Sequence, residues 1–240
     1  MTVAQQPAPF RPTVGGRPFR GVCAGLLLLL PFAALTSAGA GGARAAQQQA
    51  ATTANPALAR LSPPARQVHA WVVGSGNHQG MPFALIDKTA AQLHLFDALG
   101  VLRASSPVLL GLARGDHSVP GIGERKMSDI LAHERTTPAG RFVSEPGQNL
   151  QGQDIVWIEY DTAVSMHRVR ASNSAERRLQ RLASSTAADN RISYGCVNVP
   201  VAFYDRYIAP YWGHQSGVVY VLPETVPAAQ FFGFDAAAYP

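Results

Sequence analysis

Cys196 is the residue in this chain most readily given chemistry. It sits in NRISYGCVNVP (190–200), among small and polar neighbours instead of the aliphatic ones of a core position. Covalent catalysis by a thiol needs a nucleophile, a base to take its proton, and donors for the oxyanion that forms on the attacked carbonyl. Gly195 lets the backbone approach a substrate closely and reach conformations that other residues avoid. A cysteine just before a helix or strand start has N–H groups nearby that favour the thiolate and point at a carbonyl oxygen. The arrangement suits acyl transfer. The competing readings of Cys196 are a buried inert thiol, half of a disulfide, and a metal ligand.

The other cysteine, Cys23, narrows these. It lies in a segment with Arg11, Arg17 and Arg20, followed by the apolar run GVCAGLLLLLPFAAL (21–35) and the small residues TSAGAGGARAA. Those three parts match a Sec-type signal peptide, with Ala38-Gly39-Ala40 and Ala43-Arg44-Ala45 as candidate cleavage sites. The apolar run holds Pro31 and is shorter than the ~20 residues of a membrane span, so no stable membrane insertion is expected after cleavage. Residues 1–46 are read as signal and cleavage region, 47–66 as an Ala/Gln/Pro-rich tether, and 67–240 as one folded domain. The protein is thus expected in the periplasm or cell envelope. Cleavage near 47 removes Cys23 and leaves Cys196 as the lone thiol, so no internal disulfide can form.

The same assignment disposes of a charge argument. The chain has 20 basic and 15 acidic residues. Four of the basic residues and none of the acidic ones precede position 47, so the remainder carries only +1. A nucleic-acid partner loses its main support. One mature cysteine and scattered histidines show no paired ligand spacing, so neither a metal nor another cofactor is expected.

Strands must position the cysteine. FALIDKTAAQLHLFDALGVLRASSPVLLG (83–111) predicts three strands with turns at DKTA and DALG, and its alternation puts His94 on a polar, exposed side. VHAWVVGSG (68–76) also predicts a strand. DIVWIEYDTAVSMHRV (154–169) predicts two strands broken near Asp161-Thr162, and SGVVYVLPE (216–224) a closing one. Short helices are predicted over 124–134, with Met127, Ile130 and Leu131 on one side, and over 174–185, capped by Ser174 with Leu179 and Leu182 buried. A further helix starts at Pro200. The sum is a mainly β domain with two or three short helical insertions.

ISYGCVN resembles the catalytic signature of the L,D-transpeptidases. ALIDKTAAQLHLFDALGVL, RTTPAGRF and AVSMHRV resemble, in order, the opening hairpin, the Thr-Pro-x-Gly-x-Phe segment and the histidine strand of that family. The resemblance runs over roughly residues 67–222. It implies an L,D-transpeptidase-like β-sandwich or barrel with Cys196 as nucleophile and His167 as base. Ser193, Tyr194, Gly195 and Asn198 would shape the site, with N–H groups of 194–196 as oxyanion donors. The implied substrate is a peptidoglycan stem peptide, cleaved after diaminopimelate and passed to an amine, with a carbapenem as a covalent inhibitor. Water as acceptor would make an L,D-carboxypeptidase or another cysteine peptidase with the same pair, and loss of the chemistry would leave a cell-wall-binding module. His117 and His133, in the long loop, are alternative bases.

Two positions and one interval depart from the family. Tyr194 stands where histidine precedes Gly-Cys, Arg168 stands where glycine or serine commonly follows the catalytic histidine, and 25 residues separate His167 from Ser193. That long interval carries Arg168, Arg170, Arg177, Arg178 and Arg181. Arg168 and Arg170 are kept as candidate contacts for stem carboxylates, while the helical arginines are expected on a solvated face.

Overall fold

The computed structural model describes residues 56–240; the expected signal peptide and the tether up to residue 55 lie outside the described residues. The chain is mainly β. Its strands are β1 (Phe83–Asp87), β2 (Gln92–Phe96), β3 (Leu102–Pro107), β4 (Leu110–Gly111), β5 (Gly140–Gln148), β6 (Asp154–Glu159), β7 (Val164–Arg168), β8 (Arg191–Ser193), β9 (Val197–Val199) and β10 (Gly217–Val221). Eight of them form one sheet in the order β3-β2-β1-β10-β5-β6-β7-β9, and β4 pairs with β8. Strand β10, expected to close the chain's sheet, lies inside it, parallel to β1 and antiparallel to β5.

Alternation along the strands builds two cores. Ala84, Ile86, Leu93, Leu95, Val219 and Val221 join Val156, Met166, Val197 and Val199 in one cluster, so the two ends of the sheet curl around a common interior. The edges meet as well. Only two residues after β3 ends, Leu109 bridges Asn198 of β9, the strand at the opposite edge. Each fully buried aliphatic side chain here stabilises the fold by about 1.5–3 kcal/mol.

The other face of β1 and β2 is covered by a helix where a strand was expected. Helix α1 (Pro63–Ser75) starts at Ser62, whose Oγ accepts from Ala65 N at 3.2 Å, has prolines in its first turn, and ends at Gly76 in the left-handed region. That cap is worth about 1 kcal/mol. Ala65, Val68, Trp71 and Val72 are buried at helical spacing, so the β-branched run that reads as a strand is the apolar stripe of a helix. The helix begins four residues before the expected domain start, and Leu58 and Leu61 ahead of it pack into the same cluster as Phe83 and Leu85.

This second layer also corrects His94. It is 5% exposed, bonded through Nδ1 to Ser105 Oγ at 2.8 Å across the β2–β3 pair, and burial lowers its pKa to about 4. The region 124–134 is three separate 3-10 turns, Ile122–Glu124, Met127–Asp129 and Ala132–Glu134, with Met127 and Leu131 exposed and Ile130 buried. The predicted helix over 174–185 is a 3-10 turn (Ser174–Glu176) followed by α2 (Arg178–Leu182). Asn173, not Ser174, caps the turn; Leu182 is buried, but Leu179 is exposed. Helix α3 follows Pro200 in three consecutive pieces, Val201–Phe203, Tyr204–Ile208 with π spacing, and Ala209–Trp212. A last short helix, α4 (Ala228–Phe232), packs beside α1.

Candidate active site

The site forms where β7 and β9 run side by side in parallel, with Met166 opposite Val197 and His167 opposite Asn198. Met166 and Val197 point into the core. His167 and Asn198 therefore share the opposite face, and Cys196 immediately precedes β9. Parallel neighbours need a crossover of a dozen or more residues. The long interval between His167 and the cysteine motif is that crossover, carrying α2 and returning through β8.

Cys196 is half-buried and unpaired. Its Sγ lies 3.6 Å from Ser165 Oγ and 3.6 Å from Ala163 O. Burial pushes the thiol up, but the hydrogen bond and charge of His167 outweigh it, helped by the N–H and hydroxyl of Ser165. The net result is a fall from 9.0 to about 7. A thiol in that range is substantially ionised near neutral pH, as a nucleophile requires. Ser165 is a further site residue, and its one mark in the sequence is its place two residues before His167, on the same face of β7.

The imidazole has a defined tautomer. His167 Nδ1 lies 2.8 Å from Arg168 O, an acceptor only, so Nδ1 carries a proton and donates it. Nε2 lies 3.4 Å from Asn198 Nδ2. The orientation of the Asn198 amide is fixed chemically, because Arg178 Nη1 donates to Asn198 Oδ1 and a guanidinium cannot accept. The amide nitrogen then also reaches Cys196 O at 3.2 Å. A neutral ring so placed presents its lone pair on Nε2.

The cysteine loop is held from several sides. Ser193 Oγ donates to Cys196 O at 2.6 Å and accepts from Gly195 N at 3.1 Å. Gly195 N–H is therefore engaged by the Ser193 hydroxyl in this structure. The Tyr194 and Cys196 N–H groups have no backbone partner among the described residues. Gly195 has φ 130°, and a Cβ there would sit 2.9 Å from Thr136 O. Thr137 Oγ1 donates to Gly195 O at 2.8 Å and accepts from Gly111 N at 2.8 Å.

Thr137 is itself anchored by a buried ion cluster. Lys88 Nζ donates to Thr137 O at 3.1 Å and to Asp116 Oδ1 at 2.8 Å, with both side chains at most 1% exposed. Glu224 binds Arg191 at 2.6 Å, and Arg191 opens the strand leading into the cysteine motif. Scattered over the sequence, Lys88, Asp116, Arg191 and Glu224 carried no signal of this shared role.

Tyr194 lies under the guanidinium of Arg135, 3.9 Å from carbon to ring centroid. Arg168 is taken up by Asp154 at 2.7 Å and Asp205 at 2.6 Å and lies over the Tyr204 ring. Arg170 bonds Gln151 and Gln153 at the surface. Arg178, expected on a solvated face, has a side chain only 13% exposed and reaches the site.

No protein-family model matches the sequence, and no curated protein matches it. Among solved structures, the chain is similar to the helical cell shape determining protein Pgp2 from Campylobacter jejuni, with 14% identity over 61% of this chain and 49% of that one and a TM-score of 0.40. It is also similar to an L,D-transpeptidase from Mycobacterium smegmatis, with 14% identity over 58% of each chain and a TM-score of 0.33. A third is the catalytic domain of an Enterococcus faecium L,D-transpeptidase, with 16% identity over 59% of this chain and 96% of that one and a TM-score of 0.32. This chain spans 49% and 58% of the first two, less than two thirds of either.

Proposed function

We propose that the protein is an exported cysteine acyltransferase of the L,D-transpeptidase kind, acting on peptidoglycan stem peptides. The observation that carries this reading is the placement of Cys196 beside His167, whose strand runs parallel to that of the cysteine with His167 opposite Asn198, and whose influence lowers the thiol against the opposing effect of burial. The ordered motifs around Cys196 and His167 supply the substrate class.

In the first half-reaction His167 Nε2 takes the thiol proton, and Cys196 Sγ attacks the carbonyl of the peptide bond after diaminopimelate. The Cys196 N–H, which has no backbone partner among the described residues, serves as a donor for the oxyanion. Collapse of the tetrahedral intermediate breaks the C–N bond, and His167 returns the proton to the departing D-alanine amine. In the second half-reaction an acceptor amine attacks the thioester, loses a proton to His167, and releases the thiol. The two steps exchange one amine for another with no net redox change.

Incubating the protein with a tetrapeptide stem, with and without an acceptor amine, tests the assignment. Release of D-alanine with formation of a new amide supports a transferase. Release of D-alanine with only tripeptide as the other product, whatever the acceptor, makes it a carboxypeptidase. Peptidoglycan binding that survives Cys196→Ala, with no turnover by the unsubstituted protein, makes it a binding module.

A further inference from the structure

We infer that Arg178, on the helical crossover between the histidine strand and the cysteine motif, is a positioning residue that keeps His167 a free base by fixing the amide of Asn198. The inference rests on the Cys196–His167 pair being the reacting pair, but not on which acyl group it transfers.

Donor chemistry sets the orientation. Arg178 Nη1 meets Asn198 Oδ1, and a guanidinium has only donors. The oxygen of Asn198 is thereby turned away from the imidazole, and its nitrogen is turned toward Nε2 at 3.4 Å and Cys196 O at 3.2 Å. A donor facing Nε2 opposes a proton on that atom. With the amide reversed, the bond to Cys196 O is lost, and an oxygen would face Nε2 and accept from Nε2–H while Nδ1–H still bonded Arg168 O. That reversed arrangement stabilises the imidazolium, which cannot take the thiol proton.

Arg178 is built for the task. Glu176 holds its Nε at 2.5 Å, and the side chain is 13% exposed. The Cys196 thiol feels the ring, and Arg168, the next residue along the strand, has its guanidinium directed to Asp154 and Asp205. No carboxylate binds the ring among the described residues, so the amide of Asn198 is the polar group that decides the state of Nε2.

The test is the titration of the His167 ring by NMR in the full chain carrying Cys196→Ser, so that the thiol does not titrate with it. Arg178→Ala is expected to raise the ring midpoint by about one pH unit, a roughly tenfold gain in proton affinity. Arg178→Lys, still a donor only, is expected to restore the original midpoint. In an Asn198→Ala background, Arg178→Ala is expected to have no further effect, because the path through the amide is gone. An unchanged midpoint in Arg178→Ala overturns the inference, as does an equal rise with Asn198 absent, which would be a direct charge effect. Should Arg178→Ala not fold, Arg178→Met serves, since it keeps the apolar stem and the length of the side chain and offers Asn198 no donor. A raised midpoint there supports the inference, and one equal to that of Arg178→Lys overturns it. Failure here leaves D-alanine release by the unsubstituted protein untouched, so the two claims are separable.

Discussion

His167 and Asn198 are register partners on the parallel strands β7 and β9, and this pairing is what brings the imidazole to the thiol of Cys196. The two catalytic candidates are far apart in sequence, yet each sits at a fixed position on adjacent strands. The geometry is therefore as rigid as the sheet edge that carries it.

The thiol is expected to titrate near neutrality. Alkylation of Cys196 by iodoacetamide, followed against pH, should rise through about 7 and level off above 8. His167→Ala removes the strongest influence lowering the thiol, so the inflection should move upward toward 9 or beyond. A thiol whose folded pKa lies below its unfolded value contributes stability that is full above the unfolded value and lost as pH falls through the folded one. The stability difference between the unsubstituted protein and Cys196→Ala should accordingly grow from pH 7 to 9.

Gly195→Ala should damage both fold and site. The position has φ 130° and a new Cβ would meet Thr136 O at 2.9 Å. Strain of this kind costs about 1–3 kcal/mol, and relief by moving the loop would displace Cys196. Denaturant unfolding together with the alkylation rate measures both effects.

Thr137→Val keeps the shape of the side chain and removes its hydroxyl. Gly111 N and Gly195 O then lose their partner in a buried setting. An expected cost of about 1–3 kcal/mol follows, with slower alkylation of Cys196 because the loop carrying it is freed on one side.

Acid should unfold the protein partly through Asp116. Burial pushes this carboxyl up, but bonds from Lys88, from the Thr225 hydroxyl and from the Glu224 and Thr225 amides bring it down to about 2. The depressed value contributes stability that is present above the unfolded carboxylate range near 4 and lost as pH falls through it toward 2. About 2–3 kcal/mol is at stake. Stability measured from pH 5 to 2 should fall steeply for the unsubstituted protein and less so for Asp116→Asn, which starts lower.

Cys196 and His167 stand out as candidates in the sequence because the segments that resemble the family, ISYGCVN and AVSMHRV, are local. Local pattern misassigns what only packing decides. The Val68–Val73 stretch reads as a strand until Ser62, the prolines and Gly76 are seen to cap a helix. His94 reads as exposed until that helix covers its face of the sheet. Arg178 reads as one charge among several, because nothing in the chain announces that its crossover folds back onto Asn198. Ser165 and Thr137 act through bonds to residues 31 and 58 positions away, a reach that no local pattern encodes.

The central claim is that Cys196 forms a thioester-like acyl adduct. Its most direct measurement is the intact mass of the folded protein after incubation with a carbapenem, followed by peptide mapping. One added carbapenem mass is expected on the peptide containing Cys196, absent from Cys196→Ala. An unmodified mass from folded protein, under conditions where a known L,D-transpeptidase is fully acylated, would contradict it.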